Sequence, residues 1–219
     1  MNTNKDLNPQ RTEKYLQALA RDIHTTVVAT RNEYGNPITA VIDMMDADST
    51  GLYFVTAKGK TFYSRLKAYP AIAVTGFKGT DTMHTLAISL RGDAREIGTE
   101  LLPRIFTLNP YLVEIYPSEE SRSVLRVFKV ERGNGEVFCY NGDEITHENF
   151  SWGGAIARQE GYVVTASCKG CSACAAVCPR ACIHVKSHPA EIDQAHCIRC
   201  GRCVEACPAH AICPRDVNL

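Results

Sequence analysis

The stretch CKGCSACAAVCP, residues 168–179, returns as CIRCGRCVEACP at residues 197–208. Both copies follow one spacing: Cys168-x2-Cys171-x2-Cys174-x3-Cys178-Pro179, then Cys197-x2-Cys200-x2-Cys203-x3-Cys207-Pro208. Each cysteine lies 29 residues from its counterpart, and the repeat runs past them, matching Ile183 to Ile212. Ten of the eleven cysteines fall between Cys168 and Cys213; Cys139 alone lies outside. Such clustering in a chain with no export signature favours metal over disulfides.

Three thiolates at i, i+3 and i+6 on a tight loop can wrap three irons of a cubane. Gly170, Ala173 and Gly201 are small enough to let the backbone approach the sulfides. A helix starting after the third cysteine carries the fourth away. Zinc also takes CxxC pairs and is the competing metal, but four-cysteine zinc sites seldom carry this run twice. Cys182 and Cys213 fall outside the spacing and read as small buried hydrophobes, and Cys139, in the apolar run VFCY, reads as core.

Residues 160–215 resemble a bacterial-type two-[4Fe–4S] ferredoxin, a family that moves single electrons. In such ferredoxins the fourth cysteine of each run ligates the other cluster. The resemblance therefore implies one cluster on Cys168, Cys171, Cys174 and Cys207. It implies a second on Cys197, Cys200, Cys203 and Cys178.

Charge is balanced, 24 lysines and arginines against 24 aspartates and glutamates. No global basic field gathers nucleic acid or an anionic membrane. No uncharged apolar run approaches the roughly 18 residues of a membrane span. The start, MNTNKDLNPQRTEKY, is polar and lacks the apolar core of a signal peptide. A soluble, cytoplasmic protein is the expectation.

Ahead of residue 150 the composition differs. TTVVAT (25–30), ITAVIDMM (38–45), LYFVT (52–56), AIAVTGF (71–77) and TLAISLRG (85–92) read as strands, with VLRVFKVE (124–131) and EVFCY (136–140) as two more. Gly35-Asn36-Pro37 suits a hairpin turn. RTEKYLQALARD (11–22) and KTFYSRLKAYP (60–70) read as helices, and residues 99–117 as helical pieces broken at Pro103 and Pro110. Many strands with a few short helices suggest a small β-barrel. The polar, glycine-bearing stretch at 141–161 reads as the connection. The expected layout is a barrel over 1–150, a linker at 151–161 and a ferredoxin domain over 162–219. The fold class is mainly β plus a small α+β unit.

No GxGxxG follows a strand and no GxxxxGK[ST] occurs, so a dinucleotide fold or P-loop is not expected. The order of TTVVATRNEYGNPITAVI, LYFVTAKGKTFYSRLKAYPAIAVTGF and LAISLRGDAREI instead resembles the pyridoxamine 5′-phosphate oxidase-like split barrel, an FMN-binding family. The resemblance covers residues 15–140. It implies Thr39, Ala40, Val41 and Ile42 near the flavin ring, and Thr56, Lys58, Lys60 and Thr61 near its phosphate. Beside that stands the physics of a helix start with a lysine, a ready anion site; a solvated turn is the plainer reading of the same lysines. Thr61-Phe62 stands where the oxidase has Arg-Lys, and no clear Arg-x-His follows, so that enzyme's own reaction is not expected. The family often dimerises with FMN at the interface, which implies a homodimer.

Joined, the halves suggest an FMN-dependent iron–sulfur oxidoreductase, relaying electrons between two [4Fe–4S] clusters and FMN. It would act on a small molecule or a redox partner protein. The alternatives are a non-catalytic electron carrier and a barrel holding haem or another ligand, with His24, His84 and His147 as conceivable haem ligands. His84, Arg91, Tyr111 and Trp152 could line a pocket, though surface or packing roles suit each better. No acid–base pair stands out.

Overall fold

The computed structural model describes residues 9–156 and 160–215. Of the expected linker, residues 157–159 lie outside the described residues, as do the outermost ends of the two expected domains. By their contacts, residues 9–79, 86–137 and 150–156 form one compact unit, and 80–85, 138–149 and 160–215 form another.

The first unit opens with α1 (Pro9–Gln17), which runs into a π-helical turn, Ala18–Ile23, and buries Leu16 and Leu19. β1 (Thr25–Arg31) and β2 (Pro37–Asp48) then form the expected hairpin. Its turn holds because the Asn32 side-chain oxygen accepts the N–H of both Tyr34 and Asn36, while Gly35 takes a φ of 81°. β3 (Gly51–Ala57), α2 (Thr61–Ala68), β4 (Ala71–Asp81) and β5 (His84–Gly98) follow. Three short helices come next, α3 (Leu102–Leu108), α4 (Leu112–Ile115) and α5 (Glu119–Arg122). β6 (Leu125–Asn141) and β7 (Ile145–Trp152) complete the series.

The strands order as β3-β2-β1-β4-β5-β6-β7, and β3 also pairs with β6. That pairing, Leu52 opposite Val130 through Ala57 opposite Leu125, closes six strands into a barrel with β7 outside the ring. Closure leaves neither β3 nor β6 an open edge there. Strand alternation sends Leu52, Phe54, Val74, Ile88, Leu90, Phe128 and Val130 into one fully buried cluster. Tyr53, Val127 and Leu125 face the other way and pack with Leu102, Ile105 and Phe106 of α3.

Three local readings change. VLRVFKVE and EVFCY were expected as two strands but are one 17-residue strand, β6. The glycines between them serve close approach instead of a turn. A Cβ at Gly133 would come within 2.5 Å of the Trp152 ring, and one at Gly135 within 2.5 Å of Phe150. Those rings belong to β7, which lies inside the stretch read as a connection and buries Phe150 and Trp152. Polar residues along β7 masked its two buried positions. Pro103 does not break a helix either; it sits in the first turn of α3, where its missing N–H costs nothing.

In the second unit, β8 (Tyr162–Val164), α6 (Ala173–Ala176) and β9 (Ile183–His184) make one half, and β10 (Glu191–Ile192), α7 (Arg202–Glu205) and β11 (Ile212–Pro214) the other. β8 pairs with β11, and β10 with β9. Each half thus pairs its first strand with the last strand of the other half. The unit's core consists largely of Cys174, Cys182, Cys197 and Cys203 with Ile183, Ile192 and Ile212. A core so short of hydrocarbon needs covalent or metal reinforcement. Within this unit Glu144, from the β6–β7 turn, lies 2.7 Å from His196, which also bonds Asp193, and the His147 N–H donates to Ala195 O.

Candidate metal centres

The repeat recurs in the backbone. Gly170 and Arg199 both have positive φ, at 68° and 56°. So do Ser172 and Gly201, at 62° and 78°, and Ala181 and His210, at 50° and 48°. The hydrogen bonds recur as well. The N–H of Ala175 reaches Ser172 O and that of Val204 reaches Gly201 O, while Ala181 reaches Cys178 O and His210 reaches Cys207 O. α6 and α7 each begin one residue before the third cysteine, so Cys174 and Cys203 are buried in the first turn. Left-handed residues on either side of the second cysteine curl each loop, which aims successive N–H groups inward.

Those N–H groups meet sulfur. Gly170 donates to Cys168 Sγ at 3.5 Å, Arg199 to Cys197 Sγ at 3.4 Å, and Ala211 to Cys207 Sγ at 3.3 Å. The N–H groups of Ala190 and Gly170 hold the Cys168 thiol below its ordinary range. Burial opposes ionisation of Cys178, but the N–H groups of Cys182 and Arg180 outweigh it and the thiol is lowered. Burial pushes the Cys174 and Cys203 thiols up. A donor-lined ring of this kind stabilises thiolate and, with it, a metal–thiolate anion.

The eight cysteines surround two cavities. One is lined by Cys178, Cys197, Cys200 and Cys203. The other is lined by Cys168, Cys171, Cys174 and Cys207. Each set takes three cysteines from one run and one from the other. Among the described residues no three Cys, His, Asp or Glu side chains close on a single point, as one bound ion requires.

Spacing alone missed two residues of the first cavity. Cys182 is buried as expected, yet its Sγ lies 3.5 Å from Cys178 Sγ and it lines the cavity wall. Burial and the hydrogen bond to Cys178 push its thiol up to about 12. Arg180 lines the same cavity. Cys213 is exposed instead of buried, because it alternates with buried Ile212 on β11. Cys139 is half-buried in β6.

The barrel residues divide. On β2, Ala40 and Ile42 pack against the core, while Thr39 and Val41 point outward, so the four do not share a face. Thr56 is buried on β3 and its hydroxyl has no hydrogen-bond partner. Lys58, Lys60 and Thr61 are exposed where α2 begins, and Lys60 caps that helix with no side-chain bond. Arg65 crosses above, donating to Thr30 Oγ1 and Thr61 Oγ1. His24, Tyr111 and Asp43 form a chain: Tyr111 donates to Asp43 at 2.9 Å and lies 3.0 Å from His24 Nε2. Trp152 is core, its N–H donating to Val130 O.

Residues 161–208 match the model of a 4Fe–4S dicluster domain. NADH-quinone oxidoreductase subunit I of Pelobacter propionicus is 47% identical over 68 residues, 25% of this chain and 35% of that protein. This chain thus spans about a third of that relative. A protein named ferredoxin 7Fe, from Hydrogenibacillus schlegelii, is 42% identical over 57 residues, 25% of this chain and 73% of that protein. Among solved structures, a NimC/NimA family protein of Clostridium acetobutylicum superposes with a TM-score of 0.53 at 20% identity, covering 69% of this chain and 99% of its own. A heme binding protein from Mycobacterium smegmatis gives 0.51 at 12% identity, covering 66% and 59%. These two show the barrel's fold. No helix among the described residues is long and apolar enough to cross a membrane. The chain joins a barrel with the fold of that NimC/NimA family protein to a 4Fe–4S electron-transfer domain, and through that domain it belongs to the ferredoxin family.

Proposed function

We propose that the protein is an iron–sulfur flavoprotein oxidoreductase that passes electrons between two [4Fe–4S] clusters and FMN. The carrying observation is the pair of cavities, each lined by three cysteines of one run and the fourth cysteine of the other. Cys168, Cys171, Cys174 and Cys207 would hold one cluster, and Cys178, Cys197, Cys200 and Cys203 the other. Such clusters supply one electron each at a time. This chain's loops supply thiolate ligands, N–H donors to sulfur and a shell that limits water.

For FMN, the supporting observation is the unpartnered Thr56 hydroxyl. A buried hydroxyl without a partner costs about 1–3 kcal/mol, so a polar group is wanted there. The uncapped start of α2, with Lys58, Lys60 and Thr61, offers N–H groups and positive charge to a phosphate. Thr39 and Val41 are the outward residues of β2 for the flavin ring. FMN supplies the exchange between one- and two-electron chemistry. A small molecule or a redox partner protein would be the other party, in a cytoplasmic setting. A homodimer fits the exposed Val27, Val41 and Phe77 on neighbouring strands, the last two 70% and 71% accessible.

The heme binding protein among the neighbours favours a second reading, a haem-holding barrel. His24 suits it poorly, with Nδ1 3.2 Å from Ala20 O and Nε2 against Tyr111. Anaerobic purification with iron, sulfide and extracted-cofactor assays tests both readings. FMN at one per chain supports the proposal; haem with no FMN, even after FMN is offered, overturns it.

A further inference from the structure

The two cluster cradles superpose in sequence at a 29-residue offset, so their differences can be read position by position. Arg180 in the first corresponds to Ala209 in the second, and Cys182 to Ala211. Arg202 corresponds to Ala173. Arg180, Cys182 and Arg202 all line the cavity of Cys178, Cys197, Cys200 and Cys203. The cavity of Cys168, Cys171, Cys174 and Cys207 has one cationic lining residue, Lys169. No carboxylate lines either.

Arg180 carries the argument. Its Nε is buried and has no hydrogen-bond partner. A guanidinium stays charged at all working pH, and a buried donor left unpaired is costly. An anion with acceptor sulfurs in that cavity resolves the cost, and a thiolate-bound iron–sulfur cluster is one. Hydrogen bonds to sulfur and nearby positive charge both favour the reduced cluster, which carries one more negative charge. The Cys182 thiol beside Cys178 adds a weaker donor that Ala211 cannot match.

We propose that the two clusters are inequivalent: the one on Cys178, Cys197, Cys200 and Cys203 has the higher reduction potential, set by Arg180. The first electron delivered by an external one-electron reductant therefore rests there, and the second goes to its twin. The idea rests on the crossed-ligand reading above.

The test is a potentiometric titration of the full anaerobic protein with dithionite and mediators, read by electron paramagnetic resonance. Iron is counted first, since about eight irons per chain must be present for two cubanes. Fewer irons, or a single cluster signal, overturns the ligand reading and this proposal with it. With both clusters present, two separate midpoints are expected. Arg180→Ala lowers the upper midpoint and leaves the lower one in place, at unchanged iron content. The reciprocal Ala209→Arg raises the lower midpoint, and it decides the matter if Arg180→Ala fails to load. One shared midpoint in the unaltered protein, or variants that leave both midpoints where they were, overturns the proposal.

Discussion

Gly170 and Arg199 stand 29 residues apart and share a left-handed backbone, and the N–H of each donates to the cysteine sulfur two residues before it. Glycine adopts that backbone without strain, whereas arginine gives up roughly 1–2 kcal/mol to do so. The shared conformation therefore does not follow from residue preference. Arg199 is held in place by an ion pair with Glu160 at 3.0 Å.

The crossed grouping of cysteines makes a prediction that single substitutions cannot. Cys168→Ala with Cys207→Ala removes two ligands of one cluster and leaves about four irons per chain. Cys197→Ala with Cys207→Ala takes one ligand from each cluster and leaves almost none. Iron analysis after anaerobic gel filtration separates the two outcomes. If the runs bound their clusters separately, the two results would be exchanged.

Thr56 tests the proposed FMN site. Thr56→Val replaces an unpartnered buried hydroxyl with a methyl of similar shape. Without FMN the variant is expected to be more stable, by about 1 kcal/mol in urea unfolding. Its affinity for FMN, followed by quenching of flavin fluorescence, is expected to fall by about tenfold, and Lys60→Ala is expected to weaken binding similarly. A Thr56→Val protein that loses stability and keeps its affinity would place the phosphate elsewhere.

Gly133 tests the continuity of β6. A methyl there would collide with Arg91 O and lie 2.5 Å from the Trp152 ring, both parts of packed strands. Gly133→Ala is expected to cost about 1–3 kcal/mol in chemical unfolding. The fluorescence of Trp152, the one tryptophan, reports it.

Glu96 makes the barrel sensitive to acid. Its carboxylate accepts from Tyr63 OH at 2.9 Å and Lys67 Nζ at 3.0 Å, with Arg126 at 3.4 Å. Burial raises its pKa, but the bonds from Lys67 and Tyr63 outweigh that and hold it below the ordinary value. A carboxylate lowered by folding stabilises the native state above its unfolded pKa of about 4.3. That contribution disappears as the pH falls through the lowered native value. Glu96→Gln is thus expected to destabilise the barrel by about 1 kcal/mol at neutral pH, with the difference closing below about pH 4. A difference that persists unchanged at pH 3 would assign the effect to packing.

Much of this was legible because spacing is a geometric statement. The cysteine runs, the hairpin at Gly35 and the helix before Pro70 follow from local rules and recur in the structure. β7 was missed because its two buried residues, Phe150 and Trp152, sit among polar ones, so no apolar run marks it. The unbroken β6 was missed because glycine signals a turn and a tight packing contact with the same letter. Arg180 was invisible for another reason: only the folded cavity shows that its Nε is buried and unpartnered. The four β2 residues implied for the flavin ring divide between two faces, which alternation alone would have foretold.

The most direct measurement is the cofactor content of the anaerobically purified chain. Two cubanes and one flavin require about eight irons, eight sulfides and one FMN per chain. That composition is the predicted result. Eight irons with no FMN after reconstitution would contradict the flavoprotein account and leave the barrel with another ligand.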